Sequence, residues 1–147
     1  MANFGKASRK RRETLHPKLQ IILDETIKIF DFTIVYGYRN KEEQEKAFKE
    51  GKSKLNWPDS KHNKFPSDAV DVAPWDPSLN NGKGGIDWEN KERFILLWGI
   101  IKGIAYEKNI EIRWGGDWDN DTFMKDQKFI DMPHIELVNP DKDSREK

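Results

Sequence analysis

The sequence predicts an α+β fold, a small antiparallel sheet flanked by helices. Three observations predict it. Residues 94–105 carry apolar side chains at helical spacing, several short segments are β-branched or alternate in polarity, and the two kinds do not recur in the regular order of a doubly wound sheet. The 147 residues match the usual size of one domain and contain no internal repeat.

Residues 1–13 hold Lys6, Arg9, Lys10, Arg11 and Arg12 with few apolar neighbours, and read as a flexible basic arm. From Leu15 the apolar positions Leu19, Ile22, Leu23, Ile27 and Phe30 follow a period near 3.6, so a first helix opens between Thr14 and Pro17. His16, directly before Pro17, suits a cap at that start. Phe32 to Tyr38 is β-branched and aromatic, hence a strand. Lys41 to Lys49 is a short charged helix, and the Lys-, Asn-, Ser- and Pro-rich stretch from Gly51 to Pro66 is a long loop. Ala69 to Ala73 alternates as a second strand, with Val70 and Val72 on one face and Asp71 on the other. Phe94, Leu97, Trp98, Ile101, Ile104 and Ala105 then form a single apolar stripe, the core-facing side of a long helix. Glu111 to Trp114 and His134 to Val138 are short strands, and residues 140–147 a frayed tail.

Composition narrows the function. Lys and Arg together number 26, as do Asp and Glu, so the formal net charge is zero and no global field draws nucleic acid or an acidic partner. Charged residues reach 35% and mean hydropathy is −0.92, values that would fit disorder if aromatics were scarce. Six Trp, eight Phe and three Tyr instead supply the large apolar surfaces of a core. Cysteine is absent, which excludes disulfides, thiolate zinc sites and a cysteine nucleophile. Any metal must be held by histidines and carboxylates. No segment approaches the roughly 18 apolar residues of a membrane span. No apolar stretch of signal-peptide type follows the basic start, so synthesis in the cytosol and a monomeric state are the expectations.

The chemistry gathers on two strands. His62 lies at the edge of the polar loop, and Asp71 is presented between Ala69 and Ala73, with room for a ligand. In His134 to Val138, Ile135 and Leu137 share one face while His134 and Glu136 share the other. Two histidines and one carboxylate form a catalytic zinc set that leaves a further position for water. Asp131 could act as a base on that water only if the chain bends at Met132 and Pro133, since a regular strand sends positions three apart to opposite faces. Taken singly these residues carry a plainer reading. A half-buried Asp is usually a structural hydrogen-bonding group, and Arg39 would pair with an acid of the neighbouring helix.

Their combination resembles a known family. Ser60-x-His62, Ala69-x-Asp71 and Asp131-x-x-His134, with Tyr38-Arg39 followed by Gln44 and with Trp114-Gly115-Gly116-Asp117-Trp118, resemble the zinc metallopeptidases that include D-alanyl-D-alanine carboxypeptidases and phage L-alanyl-D-glutamate endopeptidases. The elements run in family order across residues 38–137. The resemblance implies the D,D-peptidase fold with its zinc site on the sheet, in a single peptidase domain over residues 14–139. It implies one Zn²⁺ per chain on His62, Asp71 and His134, with Asp131 as general base and Arg39 stabilising the substrate carbonyl oxygen. Ser60, Gln44 and Trp114 would line the substrate site. Asn63 to Asp68 form a longer turn between the first His and the Asp than many members have, and Asp131 stands where some carry Glu.

The resemblance implies a single-domain phage endolysin that cleaves peptidoglycan stem peptides between L-Ala and D-Glu, reaching the cell wall from the host cytoplasm once the membrane is permeabilised. Its alternatives are a D-alanyl-D-alanine carboxypeptidase, a wall-degrading component carried in a virion, and a zinc-stabilised wall-binding module without turnover. Asp117, Asp119 and Asp121 match the start of a calcium loop, but Thr122 replaces its Gly and Lys128 its Glu, which rejects an EF-hand and leaves at most a looser calcium site.

Overall fold

The computed structural model describes residues 2–124 and 130–141. Helix α1 (Lys6–Arg12) is followed by α2 (Pro17–Ile27), strand β1 (Phe32–Tyr36) and α3 (Lys41–Lys49). A 3-10 turn (Lys61–Asn63) leads into β2 (Ala69–Pro74), and the short turn α4 (Leu79–Gly82) precedes the long helix α5 (Lys91–Glu107). Strands β3 (Ile112–Gly115) and β4 (Asp131–Leu137) complete the chain. The four strands form one antiparallel sheet in the order β1-β2-β4-β3. The predicted α+β class is therefore correct. Residues 142–147 of the expected tail, and Lys128, lie outside the described residues.

One face of the sheet carries the core. Val70 and Val72 of β2, Ile135 and Leu137 of β4 and Ile112 of β3 pack with α2 and α5, whose Leu19, Ile22, Leu97 and Ile101 are almost wholly removed from water. Alternation sends Asp71, His134 and Glu136 to the opposite face, as the strand patterns require. The register is equally direct, because Asp71 pairs with His134 and Ala69 with Glu136 across β2 and β4.

The bend demanded by the sequence is present in β4. Trp114 pairs with Ile135 but Gly115 pairs with Asp131, so residues 132–134 of β4 have no counterpart on β3. This bulge is held from the core side, where the Trp114 indole N–H donates to the Met132 carbonyl at 2.6 Å. A side chain at Gly115 would collide with the Asp131 backbone, so glycine is what lets the two strands meet there.

The basic arm is a correction. Residues expected to be flexible form α1, and polar groups rather than apolar ones fix it to the edge of β1. Ser8 Oγ accepts from the Ile34 backbone N–H at 3.0 Å, and the Arg11 guanidinium donates to the Ile34 carbonyl at 2.9 Å. Arg12 forms a two-pronged pair with Asp24 of α2 at 2.6 and 2.7 Å. Phe4 packs edge-on against Phe32. Ser8 and Arg11 thus occupy backbone groups of a strand edge that would otherwise be unpaired, while Arg12 ties α1 to α2.

This account predicts that Ser8→Ala, which leaves the buried Ile34 N–H without its acceptor, destabilises the protein by about 1–3 kcal/mol. A thermal melt at neutral pH measures it, and an unchanged midpoint would contradict the edge-sealing role.

Candidate active site

Each predicted metal ligand is delivered by a different local device. His62 sits in the 3-10 turn, whose start is capped by Ser60, the Ser60 hydroxyl accepting from the His62 backbone N–H at 3.2 Å. Asp71 is central in β2, and His134 lies in the β4 bulge opposite it. All three are buried, and their ligating atoms lie within 4.8 Å of one another.

Hydrogen bonds fix which atoms face inward. His62 Nδ1 lies 2.7 Å from the Gly37 carbonyl, which can only accept, so Nδ1 carries the proton and Nε2 presents a lone pair. That Nε2 is 3.2 Å from both Asp71 Oδ1 and His134 Nδ1. His134 donates through Nε2 to Glu136 Oε1 at 2.8 Å, turning Nδ1 toward Asp71 Oδ1 at 3.3 Å. Two imidazole nitrogens and a carboxylate oxygen thus converge on one point. Such a group repels itself unless a proton or a cation lies within it.

The electrostatics agree. Burial alone would raise the Asp71 carboxyl, yet the two histidines hold it well below the usual carboxylate range. Burial opposes charge on His134, but hydrogen bonds to Asp71 and Glu136 overcome it and push the imidazole up to about 9. Glu136, also buried, is pulled down to about 2 by His134, Arg113 and Lys61. The pocket is built to hold positive charge, and its donor set fits a metal cation whose ligands are each oriented by a second partner.

Arg39 and Asp131 flank this centre. Arg39 is buried, with one guanidinium nitrogen 3.1 Å from Asp71 Oδ2 and another donating to Gln44 Oε1 at 3.3 Å. The guanidinium lies over the Tyr36 ring, 4.9 Å from its centroid. Asp131 is half-buried, and burial and the nearby Asp71 carboxylate push it up to about 6. Two cavities, of about 620 and about 270 Å³, share Arg39, Lys52 and Asp131 as walls, the larger bordered also by Asp71 and the smaller by His62 and His134.

A family model described as phage L-alanyl-D-glutamate peptidase matches residues 1–138. The chain belongs to this family. An L-alanyl-D-glutamate peptidase of Escherichia phage T5 is 34% identical over 140 residues, covering 92% of this chain and 97% of that protein. A crystal structure of the Serratia marcescens L-Ala D-Glu endopeptidase ChiX shares the fold, with a TM-score of 0.67 at 22% identity over 95% of this chain and 92% of that one. The protein is a peptidase of the phage L-alanyl-D-glutamate peptidase family, and among the described residues no helix is long and apolar enough to cross a membrane.

Two expected substrate contacts need correction in this family member. Gln44 is wholly buried, its amide donating to the Leu55 carbonyl at 2.6 Å and to Ser53 Oγ at 3.0 Å while its oxygen accepts from Arg39 and Asn63. It organises the 51–66 loop and holds Arg39 rather than facing a cavity. Trp114 is 3% exposed, stacks on Trp98 at 5.4 Å and supports the β4 bulge, so it belongs to the core. Ser60 does line the smaller cavity.

Other contributors were missed. Glu136 orients His134 while bound by Arg113 at 2.7 Å and Lys61 at 3.2 Å. Its place on the ligand face was legible, but its partner was not. Trp118 lies over the His134 ring at 5.4 Å, and Gly37 leaves no space for a side chain between Thr14 and the backbone that supplies the His62 acceptor. The carboxylates of Asp117, Asp119 and Asp121 also lie within 4.8 Å of one another, where Asp117 accepts from the Thr122 and Asp121 backbones.

A divalent metal ion that occupies this group is expected to stabilise the chelator-treated protein by about 2.7 kcal/mol at one hundred times its dissociation constant, a rise of roughly 5–10 °C in Tm. Glu136→Gln should weaken metal binding about 10- to 100-fold, read by competition with a chromophoric chelator. Equal affinity in the variant would show that Glu136 does not tune the site.

Proposed function

We propose that the protein is a zinc-dependent endopeptidase that cleaves peptidoglycan stem peptides between L-Ala and D-Glu. The observation that carries this reading is the convergence of His62, Asp71 and His134 beside Asp131 and Arg39, where two cavities adjoin. Two imidazoles and a carboxylate without thiolate suit Zn²⁺, and two adjoining cavities suit an internal peptide bond. The family and the T5 relative support the choice of bond. Made in the host cytoplasm, such an enzyme reaches the wall after the membrane is permeabilised.

Zinc at such a site supplies Lewis acidity, acidifying a water molecule and polarising a carbonyl. The chain supplies the rest. Asp131, half-buried beside the ligands, accepts the proton of the attacking water and returns it to the departing amine of D-Glu. Arg39, anchored by Asp71 and Gln44, directs its remaining donors at the oxygen on which negative charge develops. Gly37 and Glu136 keep both histidine ligands in the tautomer that leaves their inward nitrogens unprotonated.

Mass spectrometry of fragments released from purified peptidoglycan is expected to show new amino termini on D-Glu. Release of free D-Ala alone would favour a carboxypeptidase instead. Asp131→Ala should retain zinc while losing about 10²- to 10⁴-fold in kcat, whereas His134→Ala should lose zinc as well. Arg39→Lys should lower kcat about 10²-fold, because a point charge cannot replace the anchored fork. An effect confined to KM would assign Arg39 to ground-state binding.

A further inference from the structure

The two arms of the cleft differ in chemistry. Beyond their shared walls and the proposed metal ligand Asp71, the larger cavity has one basic side chain, Lys46, against the acids Glu43 and Glu50. Its remaining surface is largely apolar, with Tyr36 and Trp88 exposed by 41% and 51%. Trp88 stacks on Phe94 at a centroid distance of 6.0 Å, which steadies the ring while half of its surface stays open to solvent. The smaller cavity has the bases Lys54, Lys61 and Arg113 against the acids Asp59 and Glu136. Lys52 stands where the arms meet, and its only described acidic partner is Glu50 at 3.4 Å, an exposed pair that is readily exchanged.

The substrate of the proposed function is equally asymmetric. On the amino side of the scissile bond, L-Ala is joined through a lactyl group to a neutral sugar. On the carboxyl side, D-Glu continues the chain through its side-chain carboxyl, which leaves its α-carboxylate free and next to the scissile nitrogen. An anion in that position must lie beside the reacting centre, and the acidic, aromatic arm would repel it.

Resting on that functional reading, we propose that the cleft is polarised: the aromatic arm at Tyr36 and Trp88 takes the glycan side of the substrate, and Lys52 at the junction binds the free α-carboxylate of D-Glu, whose peptide continues into the basic arm. Exposed aromatic faces stack on the apolar faces of sugar rings, and a lysine at the junction gives a charge-assisted hydrogen bond to the one carboxylate adjacent to the cut. Tyr36, Trp88 and Lys52 are specificity determinants, separate from the metal ligands and the base.

Steady-state kinetics on three soluble substrates test this: a disaccharide-linked stem peptide, the same peptide without sugar, and the disaccharide form with the D-Glu α-carboxylate amidated. The wild type should prefer the first over each of the others in kcat/KM. Trp88→Ala should reduce the preference for the sugar about tenfold while keeping the preference for the carboxylate. Lys52→Met should do the reverse by a similar factor, and Lys52→Arg should restore the carboxylate preference. Equal wild-type rates on all three, or loss of the opposite preference by each variant, would overturn the polarity while leaving the endopeptidase reading intact. Failure of the wild type to cut any of the three between L-Ala and D-Glu would overturn the functional reading and the polarity with it.

Discussion

Three electron-pair donors turned toward one point cannot stay there without positive charge between them. The placement of His62, Asp71 and His134 depends on that constraint, and so does everything arranged around them. Each donor is held from behind: His62 by the Gly37 carbonyl, His134 by Glu136, and Asp71 by Arg39. A ring free to rotate would relieve the repulsion by turning away. Here rotation would break a buried hydrogen bond, so the donors are held ready for the positive charge that their convergence requires.

The fold is arranged to supply these rear contacts. β2 and β4 lie side by side in the sheet, in a register that sets Asp71 opposite His134, and the bulge in β4 brings Asp131 beside the same centre. Trp114, Gly115 and the Met132 carbonyl support that bulge from the core. On the other flank, α1 and Thr14 close over Gly37, with Thr14 Oγ1 accepting from the Tyr38 backbone N–H at 3.0 Å. The N-terminal helix thus reaches the His62, Asp71 and His134 group through one glycine, and its arginines act on the Phe4 and Ile34 carbonyls and on Asp24.

Periodicity made much of this readable. The stripe on α5, the alternation of β2 and β4, and the need for a bend at Met132 and Pro133 follow from side-chain spacing alone. The alternation of the two strands put Asp71 and His134 on ligand-facing sides, and the family resemblance implied that they join His62 as one ligand set. What escaped depends on where a polar group points. Ser8 and Arg11 read as solvated until β1 is seen to present them with an unpaired edge. Gln44 and Trp114 were placed in the site by resemblance, yet both stand behind it, one holding Arg39 and the other a bulge. Glu136 lies on the right face in the sequence, but only the β3–β4 register reveals the arginine that keeps it charged.

The measurement that bears most directly on the central claim is metal content with X-ray absorption at the zinc edge, made on protein purified without chelator and followed by assay of the same sample. The account predicts one zinc per chain in an environment of imidazole nitrogen and carboxylate oxygen, with activity lost on stripping and regained on adding Zn²⁺ back. Full hydrolytic activity in a sample whose metal content is far below stoichiometry would contradict it.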